Sequence, residues 1–383
     1  MRNHHALNQD SFLEIKRFSL SMNNNKNIQE GFQDCFPIFV VGAARSGTTM
    51  LQLIINAHPK IAIFGEIHYF DQILQIKRFI PSMSRDEDLE KFFSFVRRIR
   101  AFQFLPGIEE ILSGVKDRML VIKSRTYEGF YRILLEEYAK IKGATRFGEK
   151  TPGNVRHIDQ LFRIFPNAKV IHIIRDPRDV VASSLKMPDA SKDIIIHALS
   201  WASDIVLGNH FSNREESYIE VRYEDLTQHP KEEMERLCRF VGEEYSETML
   251  EFYKTSTNYF KNEPWKKGTL KRVNTQSIRK GEKVLSRSKI FIIQKLTGFL
   301  MREYGYEFSS IAFNKKLLAF IYLPIELLKS SMHQIKKMNL RRKPNKNLIV
   351  SGQNQALPKT FFSLLLKRPN VKARHSAYYP ETQ

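Results

Sequence analysis

The sequence predicts an α/β fold, a parallel sheet with helices on both faces. Three observations carry this. Short β-rich runs alternate with helical stretches along most of the chain, and several of those runs are apolar at successive positions, as strands covered on both sides are. Two of them also lead straight into helix starts that carry anion-binding residues. The expected order is strand 38–41, helix 48–57, strand 61–64, a helical, insert-like region 70–113, strand 119–123, helix 127–142, strand 146–149, helix 155–164, strand 169–174, helix 177–186, helix 192–211, strand 217–221 and helix 231–241.

The first strand, Ile38 to Val41, opens the segment Pro37-Ile-Phe-Val-Val-Gly-Ala-Ala-Arg-Ser-Gly-Thr-Thr-Met50. Gly42 and Gly47 stand in the spacing G-x-x-x-x-G and permit a tight turn ahead of a helix whose free N–H groups cradle an anion. The sheet is therefore of the P-loop type. A nucleoside triphosphatase carries Lys and then Ser or Thr after the second glycine, the Lys reaching the β/γ-phosphates and the hydroxyl holding Mg²⁺. This chain has Thr48 and Thr49 there, which removes the handle for a γ-phosphoryl group, and its cation, Arg45, lies inside the loop.

His58-Pro59 ends the first helix, and Ile61 to Phe64 returns as a short strand running into Gly65-Glu66-Ile67-His68. A carboxylate at a strand end can accept the proton of an attacking hydroxyl. His68 is a rival base, because two residues on it points to the same side if the strand continues. In the region 70–113, Phe92, Phe93, Phe95, Phe102 and Phe104 sit among arginines and are expected to fill core. Gly148-Glu-Lys-Thr-Pro152 places Lys150 at a strand end ahead of a turn.

Lys169 to Ile174 reads as a strand buried on both faces, and Asp176-Pro177 as a helix start with a capping acceptor and a proline in the first turn. Arg175 then sits at the carboxyl end of that strand and Ser183 under two turns into the helix, beside the ligand crevice of an open sheet. A planar guanidinium there can grip a phosphate with two hydrogen bonds, and a hydroxyl adds another donor. Tyr218 to Leu226 is a strand feeding a loop, in which Tyr223 is either a core residue or one that edges a bound base. The run from Trp265 to Lys280 is strongly basic.

Taken together these segments resemble the sulfotransferase family, which transfers a sulfuryl group from 3′-phosphoadenylyl sulfate (PAPS) to a hydroxyl or amine. The resemblance spans Pro37 to Tyr306. It implies that Arg45, Ser46, Gly47, Thr48 and Thr49 form a 5′-phosphosulfate loop and that Arg175 and Ser183 bind the 3′-phosphate. It further implies that Tyr223 lies near adenine and that Asn274 and Lys280 belong to a basic segment closing over the nucleotide. His-Pro after the first helix, with Glu66 twenty-one positions after Arg45, is most similar to the protein-tyrosine sulfotransferase-like branch. In that branch a glutamate here is the general base. Lys150 matches the lysine that helps the leaving group, with Arg45 sharing the load, since charge growing on the bridging phosphate oxygen favours preorganised cations. The chain departs from the branch at Met187, where a further arginine is expected.

The function this implies is a PAPS-dependent sulfotransferase acting on a hydroxyl of a small molecule, lipid or glycan. A non-catalytic adenine-nucleotide-binding protein and a P-loop nucleotide kinase are the alternatives; Glu66 and Lys150 count against the first and Thr48 against the second.

The bulk properties bound the rest. The 383 residues are expected to divide into a flexible polar segment 1–34, a catalytic domain 35–306 and a basic extension 307–383. Of the net charge of +20, the extension holds +11, fourteen Lys/Arg against three Glu. Its apolar run 317–328 is interrupted by Pro324 and is too short to span a bilayer. Flanked by Lys315, Lys316 and Lys329, it suits either a helix packed on the domain or one drawn to the surface of an anionic membrane. Beyond Arg341 the chain is expected to be disordered, with no specific nucleic-acid partner. Two cysteines, Cys35 and Cys238, provide no disulfide framework, and no secretory signal is apparent at the amino terminus, so a cytoplasmic location is expected. The eleven histidines form no ligand set, and no metal is expected.

Overall fold

The computed structural model describes residues 36–311 except 104, 106, 123, 124, 189 and 255–269. The segment 1–34, Cys35, Phe104, the first part of the basic run that opens at Trp265, and the extension from 312 onward lie outside the described residues. Five strands, β1 (Ile38–Gly42), β2 (Ile61–Phe64), β3 (Arg146–Lys150), β4 (Lys169–Ile174) and β5 (Tyr218–Arg222), form one parallel sheet in the order β2-β3-β1-β4-β5. β1 is central, and the chain leaves it first to one side and later to the other. The carboxyl ends of β3, β1 and β4 therefore border the crevice where the strand order switches from one side of β1 to the other.

Alternation along β1 explains why both faces are covered. Ile38 and Val40 join a cluster with Leu51 and Ile54 of helix Thr48–Asn56, together with Ile63, Ile171, Ile173 and Val221. Phe39 points the other way, against Tyr131 of helix Tyr127–Ile141 and against Phe165, with ring centroids 6.3 and 5.3 Å away. At the far end of the sheet Ile174 and Ala43 pack with Trp201 and Ile205 of helix Ile194–Asn209 and with Leu300 and Met301 of helix Arg287–Glu303.

One expected strand is absent. Residues 119–121 close helix Ile108–Val121, whose Ile108, Ile111, Leu112, Val115 and Met119 recur at helical spacing and are buried, while Leu120 and Val121 face outward. Four consecutive apolar residues satisfy either pattern, and here the upstream 3.6-residue period prevails. Elsewhere in the insert-like region the described residues form helices, among them Asp86–Val96, with a turn and irregular stretch at 77–85. Phe92, Phe93 and Phe102 are buried, and Phe95 is only partly covered. Among the described residues no helix is long and apolar enough to cross a membrane.

Candidate active site

The loop after β1 is shaped by backbone geometry that glycine makes possible. Gly42 has φ +149°, and a Cβ there would lie 2.4 Å from the Ile173 carbonyl oxygen; Gly47 has φ +101°, and a Cβ there would lie 2.5 Å from Tyr223 Cδ2. Arg45 adopts φ +75°, a conformation costly for a residue with a side chain and found mostly where function demands it. That turn sends its guanidinium across the crevice, where Nε donates to Ser183 Oγ at 3.0 Å. Thr48 and Thr49 open the helix, so the first-turn amides lack acceptors within it.

Two buried polar atoms of this cradle have no partner, Ser46 Oγ and Arg175 Nε. Leaving such atoms unpaired costs about 1–3 kcal/mol each, and both are donors of the kind a phosphate or sulfate oxygen satisfies. The residues present therefore fit an anionic nucleotide such as PAPS.

Arg175 leaves β4 at its carboxyl end, and Trp201 Nε1 holds its carbonyl at 2.9 Å. Its guanidinium donates to Ser277 O at 2.6 Å and to Arg45 O at 3.3 Å, lies 3.5 Å from Asp179 Oδ2, and covers the Tyr223 ring 4.1 Å from the centroid. Tyr223 is thus a buried core residue beneath Gly47 and Arg175. Asp176 caps the following helix by accepting from Arg178 N at 2.8 Å.

The basic segment reaches this site through Ser277. Asn274 is exposed and turned onto its own backbone, donating to Arg272 O at 3.0 Å and accepting from Gln276 N at 3.1 Å. Lys280 is exposed at the start of helix Lys280–Val284, and the next amide, Gly281 N, donates to Asp179 Oδ1 at 2.5 Å.

Glu66 and Lys150 come from the ends of neighbouring parallel strands. Lys150 Nζ, nearly fully buried, donates to Glu66 Oε1 at 2.5 Å and to Thr49 Oγ1 at 3.3 Å. β2 ends at Phe64, so the alternation that would align His68 with Glu66 does not extend that far. A left-handed turn at His68, φ 54° and ψ 42°, brings the imidazole there instead, with Nε2 3.6 Å from Glu66 Oε2. Burial opposes the charged form of His68. Its contact with the Glu66 carboxylate and the charges of Glu149 and Asp71 outweigh that, and its pKa is raised above the ordinary value. Beyond it Phe70 stacks on His157, centroids 4.7 Å apart, and His157 Nε2 lies 3.8 Å from Asp71 Oδ1.

Sequence reasoning missed Glu149. Its carboxylate is fully buried and accepts from Ile67 N at 3.1 Å, Asn154 Nδ2 at 2.9 Å and the hydroxyls of Thr151 and Tyr131. The available signal was a glutamate inside a short strand that must be covered on both faces. Among the described residues no group of three or more His, Cys, Asp or Glu side chains is arranged to hold a metal ion.

Comparison with known proteins agrees with this geometry. Residues 37–247 match the model of the Sulfotransferase family. An uncharacterized protein of Aquifex aeolicus (strain VF5) is 26% identical over 258 residues, 64% of this chain and 29% of that protein. Protein-tyrosine sulfotransferase 2 of Gallus gallus is 24% identical over 221 residues, 56% of this chain and 53% of that protein. The chain thus spans about half or less of the length of these relatives. In fold, the sulfotransferase domain from the Synechococcus PCC 7002 olefin synthase aligns with a TM-score of 0.53 at 19% identity, covering 72% of this chain and 98% of that domain. The match to the family model takes in over half of the chain and includes the strand-loop-helix cradle, Glu66, Lys150, Arg175 and Ser183, so the chain belongs to the sulfotransferase family.

Proposed function

We propose that the protein is a sulfotransferase that moves a sulfuryl group from PAPS to a hydroxyl on a small molecule, lipid or glycan, with Glu66 as general base. The observation that carries this is the contact of Glu66 with Lys150, 2.5 Å, beside Thr49 at the start of the P-loop helix. Base and leaving-group cation stand next to one another at the mouth of an anion cradle.

PAPS supplies the sulfuryl group and a phosphate that can depart from it. Glu66 takes the acceptor's hydroxyl proton as the acceptor oxygen bonds to sulfur and the bond from sulfur to the bridging phosphate oxygen breaks. Lys150 and Arg45 stabilise the charge that grows on that oxygen, an effect larger in the transition state than before it. Arg175 and Ser183 hold the 3′-phosphate. Protein tyrosine is the acceptor in the name of the chicken relative; this chain has Met187 where that branch carries an arginine, which favours another hydroxyl.

Kinase chemistry is disfavoured by Thr48 in the lysine position. A binding protein without turnover would have no use for a carboxylate and an ammonium placed together beside the cradle. A screen of hydroxyl acceptors with ³⁵S-labelled PAPS tests the reading. Transfer to at least one acceptor class, lost in Glu66→Gln, is expected; nucleotide binding with no transfer to any acceptor would favour the binding protein.

A further inference from the structure

We propose that Glu149 is a positioning residue that clamps the loop bearing Glu66 and so sets the Glu66–Lys150 pair. This rests on the reading of Glu66 as the base.

Glu149 and Thr151 flank Lys150, and alternation at the end of β3 turns them away from the face that Lys150 uses. Glu149 Oε1 accepts from Ile67 N at 3.1 Å and from the Thr151 hydroxyl, and Thr151 Oγ1 in turn accepts from His68 N at 3.4 Å. The amides of both residues that follow Glu66 are therefore tied to β3, one directly and one through Thr151. On its other oxygen Glu149 accepts from Asn154 and from the hydroxyl of Tyr131, whose ring stacks on Tyr69 at 4.1 Å and 7°. Tyr69 adjoins His68, so one carboxylate braces the loop along three consecutive residues.

The register explains why the clamp works. Phe64, the last residue of β2, lies opposite Glu149, so the loop departs directly beside the carboxylate. Beyond Phe64 the loop has no ladder partner, and the left-handed turn at His68 is unfavourable for a residue with a side chain. Without acceptors for the Ile67 and His68 amides, that loop can relax and carry Glu66 away from Lys150. Burial raises the Glu149 pKa, and the hydrogen bonds from Thr151, Tyr131 and Ile67 together with the charge of His68 oppose that by stabilising the carboxylate, so this buried acid is held by the bonds it receives.

The experiment uses the full chain and pairs activity with amide exchange. Glu149→Gln keeps the volume but turns an NH₂ toward the Asn154 donor, and Asn154→Asp on that background restores a donor facing an acceptor. Glu149→Gln is expected to lower kcat about 10²-fold, the scale of a roughly 1 Å misplacement. It should leave the dissociation constant for 3′,5′-ADP within a fewfold and displace the acidic limb of the kcat–pH profile. The double variant should recover most of kcat. Exchange at Ile67 and His68, slow in the parent, should be fast in Glu149→Ala, which removes the acceptor, and less accelerated in Glu149→Gln, whose carbonyl still faces Ile67 N.

Thr151→Val provides a milder cut should Glu149→Gln fold poorly: His68 exchange should accelerate while Ile67 stays protected. Unchanged exchange at both amides in these variants, or a folded Glu149→Gln with parental kcat and pH profile, would overturn the proposal. If the exchange results hold and the parent transfers no sulfuryl group to any acceptor, the clamp stands and the sulfotransferase reading falls.

Discussion

Arg45 Nε donates to Ser183 Oγ at 3.0 Å, joining the loop after β1 to the helix after β4 across 138 positions of sequence. Arg175 closes the same link from below by donating to Arg45 O at 3.3 Å. The two groups proposed to meet opposite ends of one nucleotide are thus in direct contact, and their ligand is expected to bind as a single unit.

That contact yields the first expectation. 3′,5′-ADP should raise the melting temperature well above the shift given by ATP with Mg²⁺, because ATP lacks the 3′-phosphate proposed to meet Arg175 and Ser183. At a hundredfold the dissociation constant the gain is about 2.7 kcal/mol. Arg175→Ala should weaken 3′,5′-ADP by about 2–3 kcal/mol, measured by titration calorimetry. Equal shifts from the two nucleotides would sink the 3′-phosphate assignment.

Glu66→Gln retains a carbonyl that can accept from Lys150 but cannot take a proton. Turnover should fall roughly 10²–10⁴-fold with PAPS affinity within a fewfold. His68→Ala should cost less, since the imidazole contacts the carboxylate at 3.6 Å and the cradle lies on the Lys150 side. Loss of activity only in His68→Ala would transfer the role of base to the imidazole.

Gly47→Ala tests the packing under the loop. A Cβ there would lie 2.5 Å from Tyr223 Cδ2, on a backbone at φ +101° that alanine rarely adopts. Denaturant titration should show a loss of roughly 1–3 kcal/mol. Wild-type stability would mean that the loop is not held against Tyr223 as described.

Glu224 gives a pH dependence. Burial raises its carboxyl to about 7, against the help of the Asp176 amide and of Arg222. A raised carboxyl pKa contributes stability that is fully present below about 4.5 and is lost as pH rises through about 7. Glu224→Gln removes the titration and keeps an acceptor for Asp176 N, which bonds Oε1 at 3.1 Å. The variant should match the parent near pH 4.5 and exceed its stability by roughly 3 kcal/mol at pH 8, in paired denaturant curves. Parallel pH profiles for the two proteins would contradict a buried, titrating Glu224.

Much of the fold is legible in the sequence because its signals are local. Gly42 and Gly47 mark the loop by their spacing, and Ile38–Gly42 and Lys169–Ile174 announce themselves as doubly buried strands by their β-rich, largely apolar runs. Asp176-Pro177 specifies a helix start within two residues. The same locality misled at 119–123, where a four-residue apolar run carries no period of its own and the helix already under way claimed it.

The sequence by itself determined the cradle, the strand-helix alternation and the residue types available at each strand end. Only the tertiary structure decided which of them meet. Pairing β2 with β3 brings Glu66 to Lys150 across 84 positions, and placing β4 beside β1 brings Ser183 to Arg45. Glu149 illustrates the difference most sharply. Its partners come from a loop, a helix, a 3₁₀ turn and the residue just past its own strand, and most of these hydrogen bonds depend on distances between such pieces that no local pattern encodes.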